Sequence, residues 1–449
     1  MTEKMSPLRL LFGACIYFII MFPSLAQQVE VYPVQGAQSL LVGGVIPHNG
    51  KVYVALTKNT SEQVIVTVSK EEALISSRLI FPYRFFVLNT FSKDNLMLTV
   101  GEMYPRVNIK EVSFVSLLNQ DGRVDDYKLF TVENGFSEIF DAALVNGSTL
   151  AITGMGEIKV VTAYSLVPAS AMLPQGLLVF ASPNLTFQKA YYIIFPGQNK
   201  YVWRLYRIEA LPQGDIIVAG ETYSEWDEER NSPLNTTPFV ARISSNGSIK
   251  WAFTIPTHGH VNELIVSDDG SSVWLIYTDA KLSGSYFAKI GSEDGKIISV
   301  LFVEGFTTNN AIATDGQIIC AGKLKSGSSI EAGVVVINPA PLKVYKSTIS
   351  YLTSGIPEGL KVSPMDIKVF KEGGNLGIVA SLLGSTGDKP FLLIRGLTTQ
   401  TISSSKTVQS AKEINVKANK ETNISLEETK IKELKEIAGD LKNENLRIK

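Results

Sequence analysis

Cysteine is nearly missing from this sequence: among 449 residues only Cys15 and Cys320 occur. Cys15 lies in an N-terminal apolar segment that reads as a removable leader, so Cys320 would stand alone and no intramolecular disulfide could form. Cys320 sits in the apolar run 317–322 and is expected to be a buried, inert thiol. Histidine is also scarce, with 3 residues, too few for a His-based metal centre. An excess of one charge is absent, because 42 Lys+Arg against 43 Asp+Glu leave a net charge of -1. No global field therefore recruits nucleic acid or an anionic membrane. A Gly-Xaa-Ser-Xaa-Gly elbow, a phosphate-cradling glycine loop and a twelve-residue calcium loop are all missing, and no cofactor is expected.

What is present is a repeating pattern of short β runs. The stretch 203–303 reads the same way twice: a run, an Xaa-Gly turn, an apolar run, a polar loop, a third run, a second Xaa-Gly turn and a fourth run. In the first copy the turns fall at Pro212-Gln213-Gly214 and Asn246-Gly247; in the second they fall at Asp269-Gly270 and Asp294-Gly295. Four strands joined by tight hairpins and one longer loop make one blade of a β-propeller. At 45% hydrophobic and 19% charged residues the chain can fill such a core.

Units of this kind run through 39–81, 85–131, 140–195, 204–255, 262–302 and 310–350, and a seventh at 365–397 stops one strand short. A ring of blades is sealed most simply when a strand from one terminus completes the blade begun by the other. The alternating run 28–34 is the spare strand. The expectation is an all-β, seven-bladed propeller closed by that N-terminal strand, with six or eight blades as the alternatives.

Gly214-Asp-Ile-Ile-Val-Ala-Gly220, Phe239-Val-Ala-Arg-Ile243 followed by Asn246-Gly247 and Ile249-Lys-Trp-Ala252, and Gln317-Ile-Ile-Cys-Ala-Gly322 carry a family resemblance. Their phrasing resembles the β-propeller repeats of exported bacterial and archaeal proteins, of the kind that includes quinone-cofactor-like repeats. The resemblance covers the propeller loosely and two or three units closely. It implies fold and export, and it carries over no catalytic residue. Quinone-cofactor propellers dock a Trp in most blades, whereas Trp203, Trp226, Trp251 and Trp274 all lie in units four and five.

The ends of the chain differ from its middle. Lys4 and Arg9, the uncharged run 10–22 and Ser24-Leu25-Ala26 form a signal peptide over 1–26, cleaved after Ala26, with an uncleaved membrane anchor as the alternative. The propeller is assigned to 27–400 and a solvated linker to 401–424. Over 425–449, Ser425 with Glu428 forms a capping box, and Ile431, Leu434, Ala438, Leu441 and Ile448 fall at heptad positions. That pattern predicts an amphipathic C-terminal α-helix, able to self-associate or to remain a solvated tail.

Long loops joining second to third strands, and those joining successive units, emerge on one face of a propeller, and binding is expected there. On that face Glu225, Trp226, Asp227, Glu228 and Glu229 are the candidate ligand-binding residues: a Trp to stack on a sugar, carboxylates to hold a cation, or simply an acidic solvated loop. His258 and His260 are the candidate metal ligands, short of the three or more that a site normally needs. Asn59, Asn146, Asn184, Asn235, Asn246 and Asn423 are the candidate glycosylation sites. The leading expectation is a non-enzymatic, secreted or cell-surface propeller that binds a protein or glycan through its long-loop face. The alternative is a secreted carbohydrate-active or metal-assisted enzyme using the same face. Three or more carboxylate or His side chains converging at the channel mouth would favour the enzyme.

Overall fold

The computed structural model describes residues 27–448 apart from 105–110, 134, 162–169, 199, 228–231, 280–283, 340–341, 353–355, 385–387, 404–406, 409–410, 415, 417 and 435–438. The leader at 1–26 lies outside the described residues. Among them only Ile349–Leu352 and Thr399–Ser403 are helical, one turn each, and no helix is long and apolar enough to cross a membrane.

Stretches 40–80, 84–132, 137–194, 201–254, 259–304 and 306–348 each form an antiparallel meander whose neighbouring strands pair in sequence order. The last, 361–397, supplies three strands, and Gln28–Pro33 adds the fourth by pairing antiparallel with Pro390–Leu397, Gln28 opposite Arg395 and Pro33 opposite Pro390. The N-terminal strand therefore completes the sheet at the C-terminal end of the ring, and Val29 and Val31 pack against that sheet's core. Xaa-Gly hairpins are confirmed by positive φ at both central residues of Asn49-Gly50, Asn146-Gly147 and Asp315-Gly316, the geometry whose twist matches the flanking strands.

Two parts of the expected architecture are corrected. Seven separate blades do not form: five sheets stand as discrete blades, while 137–194 and 201–254 merge into one ten-stranded sheet. The join is the single pair Ile194–Tyr201, the last residue of one meander's outer strand and the first of the next meander's inner strand.

The second correction is the C-terminal helix. From Thr407 the chain runs backwards around the ring as a belt of short strands on the outer sheet edges. Val408 pairs with Tyr345, Glu413 with Leu301, Lys420 with Phe253, Ser425–Thr429 with 190–194, Ile431–Glu433 with 130–132, and Asp440–Arg447 with 74–80. An exposed edge strand offers a row of unpaired N–H and C=O groups, and pairing them outweighs the helix propensity of a short Lys/Glu segment. The heptad-like spacing has another origin. Leu426, Ile431, Leu434 and Leu441, then Ile448, reach successive inter-sheet cores, one blade after another. Ala438 lies outside the described residues.

The core is divided into layers between adjacent sheets. One layer, for example, packs Leu98, Val115 and Phe130 of one meander against Ile139, Ile152 and Val179 of the next. Each such side chain contributes about 1.5–3 kcal/mol on burial, so the ring is held by its inter-sheet faces. Cys320 is fully buried in such a layer, and burial pushes its thiol well above the usual range.

Candidate functional site at the channel mouth

The innermost strand of each meander lines the central channel, and the same irregularity recurs in it. Register shifts leave Leu88, Phe140, Tyr206, Asn262 and Asn309 as extra residues between Val87 and Asn89, Ile139 and Asp141, Leu205 and Arg207, Val261 and Glu263, and Thr308 and Asn310. Such a bulge re-aims the following side chain. Here those residues, Asn89, Asp141, Arg207, Glu263 and Asn310, form the waist of the channel.

The waist is a hydrogen-bonded chain running from strand to strand. Asn89 Nδ2 donates to Asp141 Oδ1 at 3.0 Å, and Ile208 N donates to Asp141 Oδ2 at 3.1 Å. Arg207 Nε donates to Glu263 Oε1 at 2.7 Å, Asn310 Nδ2 to Glu263 Oε2 at 3.3 Å, and Val369 N to Asn310 Oδ1 at 2.9 Å. Burial pushes the Asp141 carboxyl up to about 7 against the pull of Arg207, and burial with the nearby Arg207 lowers the Lys368 ammonium to about 8. A cavity of 520 Å³ lies against the waist, lined by Asn89, Lys93, Asp141, Glu209, Glu263 and Asn310 among others.

Three residues upstream of the waist, the equivalent positions on three successive inner strands are Glu138, Arg204 and His260. Close beneath the first two lie glycines of the second strands: a Cβ on Gly154 would stand 1.9 Å from the Glu138 carbonyl oxygen, and one on Gly220 1.9 Å from that of Arg204. The bulge brings the inner strand this near, so only Gly fits opposite it. Gly101 opposite Phe86 and Gly322 opposite Thr307 repeat the arrangement.

Glu138 and Arg204 open into a 370 Å³ pocket with Leu88, Glu102, Tyr104, Phe140, Tyr206 and Arg207. Glu138 is only 4% exposed, and its Oε2 lies 3.3 Å from Arg204 Nη2. Arg204 lies over the Trp203 ring at 4.3 Å and donates a long 3.5 Å hydrogen bond from Nη1 to Tyr206 Oη. Burial pushes Glu138 up to about 8, opposed by Arg204 and reinforced by Glu102 and Glu111. Burial likewise raises Glu102, which is hydrogen-bonded to Tyr104. Tyr206 is also raised by burial, with the Glu221 charge adding to the effect. Burial therefore favours the protonated form of the Glu138 carboxyl, beside the Arg204 guanidinium that opposes it.

At the rim, Glu221 is fully buried. Its Oε1 faces His260 Nδ1 at 3.2 Å and accepts from Val261 N at 3.2 Å, while Oε2 has no partner. His260 is half exposed, and the hydrogen bond to Glu221 holds its imidazolium above the ordinary value.

The expected site residues are spread more widely. Trp226–Asp227 pairs as a small ribbon with Ser232–Pro233, rising from the same face, since Tyr201 at the start of the inner strand is paired with Tyr223. Glu225 is exposed beside it, whereas Glu228 and Glu229 lie outside the described residues. The expected long loop after Met155 is instead a hairpin arm, Thr149–Val161 paired with Ser170–Ala181. His258 is exposed, and among the described residues no group of three or more His, Cys, Asp or Glu side chains could hold a metal ion. Asn146, Asn184, Asn235, Asn246 and Asn423 are exposed at turns or on the belt, while Asn59 is half-buried and donates to Gly36 O at 2.9 Å. Glu102, Glu138, Arg204, Tyr206 and Glu221 were missed. The available signal was a charged residue three places before a second polar residue in otherwise apolar inner strands, as in Glu138-Ile-Phe-Asp141 and Arg204-Leu-Tyr-Arg207.

No family model and no curated protein matches this chain. Among solved structures, the polysaccharide lyase Uly1 is similar over 81% of this chain and 91% of its own at 9% identity and a TM-score of 0.47. A protein of unknown function from Dyadobacter fermentans covers 83% and 99% at 10% identity and a TM-score of 0.45, and the phage phi92 endosialidase covers 86% and 71% at 8% and 0.41. Likenesses this distant say nothing about chemistry; the strand pairing itself makes the chain an all-β propeller.

Proposed function

We propose that the channel mouth is the active site of a glycoside-cleaving enzyme. One observation carries this reading: Glu102 and Glu138 line a single pocket in which burial and neighbouring carboxylate charge, against the pull of Arg204, favour a proton on the pair. Two carboxyls with different proton occupancies are what acid–base cleavage of a glycosidic bond requires. Glu138, beside the Arg204 guanidinium, is the general acid that protonates the leaving oxygen. Glu102 tunes it. Tyr104, Phe140 and Tyr206 give the pocket aromatic walls of the kind that hold the apolar face of a sugar ring. Export is part of the reading, on the strength of the leader-like segment 1–26.

The test is a panel of aryl glycosides and soluble polysaccharides offered to the mature chain, with release of aryl alcohol or reducing ends as the readout. Cleavage of one substrate class, reduced about 10²–10⁴-fold by Glu138→Gln, supports the reading. No turnover of any member overturns it. A second reading, non-catalytic binding of a cell-surface protein or glycan, is favoured by exposed Glu225 and the Trp226–Asp227 ribbon on the same face. Retention on a glycan array without turnover would select it.

A further inference from the structure

The geometry points to His260, oriented by Glu221, as the general base that activates water opposite Glu138, so that cleavage inverts the anomeric configuration. The inference rests on the glycoside-cleaving reading and adds the second half of the reaction to it.

Three observations carry it. First, Glu221 is fully buried and spends Oε1 on His260 Nδ1 and Val261 N. A carboxylate facing Nδ1 fixes the proton there and leaves Nε2 with its lone pair. The imidazole is itself half exposed at the rim, so Nε2 is open to water while its partner is not. Second, Glu221 Oε2 is buried without a hydrogen-bond partner. An unpartnered buried carboxylate oxygen costs about 1–3 kcal/mol, a burden that orienting a catalytic base would explain and that a structural role does not require. Third, Glu138 and His260 occupy equivalent positions on inner strands that are not neighbours. The strand carrying Arg204 lies between them, and Arg204 contacts Glu138. Two groups held apart by an intervening strand leave room for a water molecule beside the sugar, the arrangement of inverting cleavage; a covalent intermediate needs its two carboxyls close together.

The step balances as a hydrolysis. His260 Nε2 takes a proton from water while the water oxygen bonds to the anomeric carbon. The bond from that carbon to the glycosidic oxygen breaks, and Glu138 gives its proton to the departing oxygen. Solvent then removes the proton from His260 and returns one to Glu138. Acting on His260 are Glu221 and Arg204 from the neighbouring meander, and Asp279 stands one place along the paired strand. Glu221 raises the imidazole and Arg204 opposes it, so activity should rise as pH climbs past a value above 6.5 and fall as Glu138 ionises near 8.

The experiment uses the mature chain and whichever panel substrate is cleaved, with ¹H NMR of the first-formed anomer, kcat and KM at several pH values, and circular dichroism to check folding. His260→Asn should lower kcat about 100-fold or more with KM within about threefold, and the wild-type product should have inverted configuration. Glu221→Gln should keep the fold and move the acidic limb of the profile to lower pH, which a purely structural role would not do. His48→Asn, on the opposite face, should match wild type. Retained configuration, or full activity in His260→Asn while Glu138→Gln is inactive, overturns the inference and leaves the glycosidase reading standing. Full activity in Glu138→Gln overturns that reading instead, and absence of cleavage by wild type overturns both.

Discussion

Glu138 should be a burden on the fold as well as a tool of the site, and the burden has a sign and a size. Its carboxyl is 4% exposed and is pushed from 4.5 up to about 8, chiefly by burial. The folded state therefore holds this proton more tightly than the unfolded chain does. The resulting stability is fully present below about pH 4.5 and is lost as pH rises through about 8. Glu138→Gln keeps the shape and removes the titration. The variant should gain on wild type by about 1.4 kcal/mol per pH unit between those limits, reaching about 5 kcal/mol and then levelling off. Set against a typical domain stability of about 5–15 kcal/mol, this is large. Urea unfolding of both proteins at pH 5, 6, 7, 8 and 9, with unchanged m-values, measures it. Parallel stability curves would refute the argument, because they would mean that Glu138 is ionised at no cost and cannot serve as an acid at neutral pH.

Other perturbations test the rest of the architecture. Glu263→Ala removes the anion bonded to both Arg207 and Asn310 and should lower stability by about 3–5 kcal/mol in denaturant unfolding, with Glu263→Gln costing less. Gly220→Ala places a Cβ 1.9 Å from the Arg204 carbonyl and should abolish activity or binding at the mouth before it unfolds the ring, as a comparison of turnover with melting temperature would show. Removing residues 407–449 should uncover the outer edges at 345–346, 301–302, 253–254, 190–194, 130–132 and 74–80, giving concentration-dependent association by light scattering; a monodisperse, equally stable truncation would contradict the belt. Val31→Asp puts a charge in the strand paired to Leu392 and should open the seam, costing about 2 kcal/mol or more and exposing 390–397 to proteolysis.

Local chemistry made much of this legible beforehand. The Asn49-Gly50, Asn146-Gly147 and Asp315-Gly316 turns are set by residues that accept positive φ, so the strand boundaries around them could be read directly. Gln28–Pro33 alternates and lacks a partner nearby, and its place against 390–397 followed from the need to close a ring. The tail misled because its apolar spacing fits a helix as well as it fits a belt. Only the presence of unpaired outer edges decided between them. The acid–base site was hidden for a related reason: Arg204 and Glu221 are paired within one meander, and they meet Glu138 and His260 only when the strands of neighbouring meanders converge.

The sequence by itself determined that this chain is built of short antiparallel strands with tight glycine turns, because those preferences act over two to four residues. It also determined where the ring would be sealed. Tertiary structure alone decided that two meanders would share one sheet, that the tail would wrap the rim as strands, and that burial would leave a protonated carboxyl beside a guanidinium. Each of these depends on what lies across the ring, and desolvation and edge pairing are properties of neighbours that the order of residues does not name.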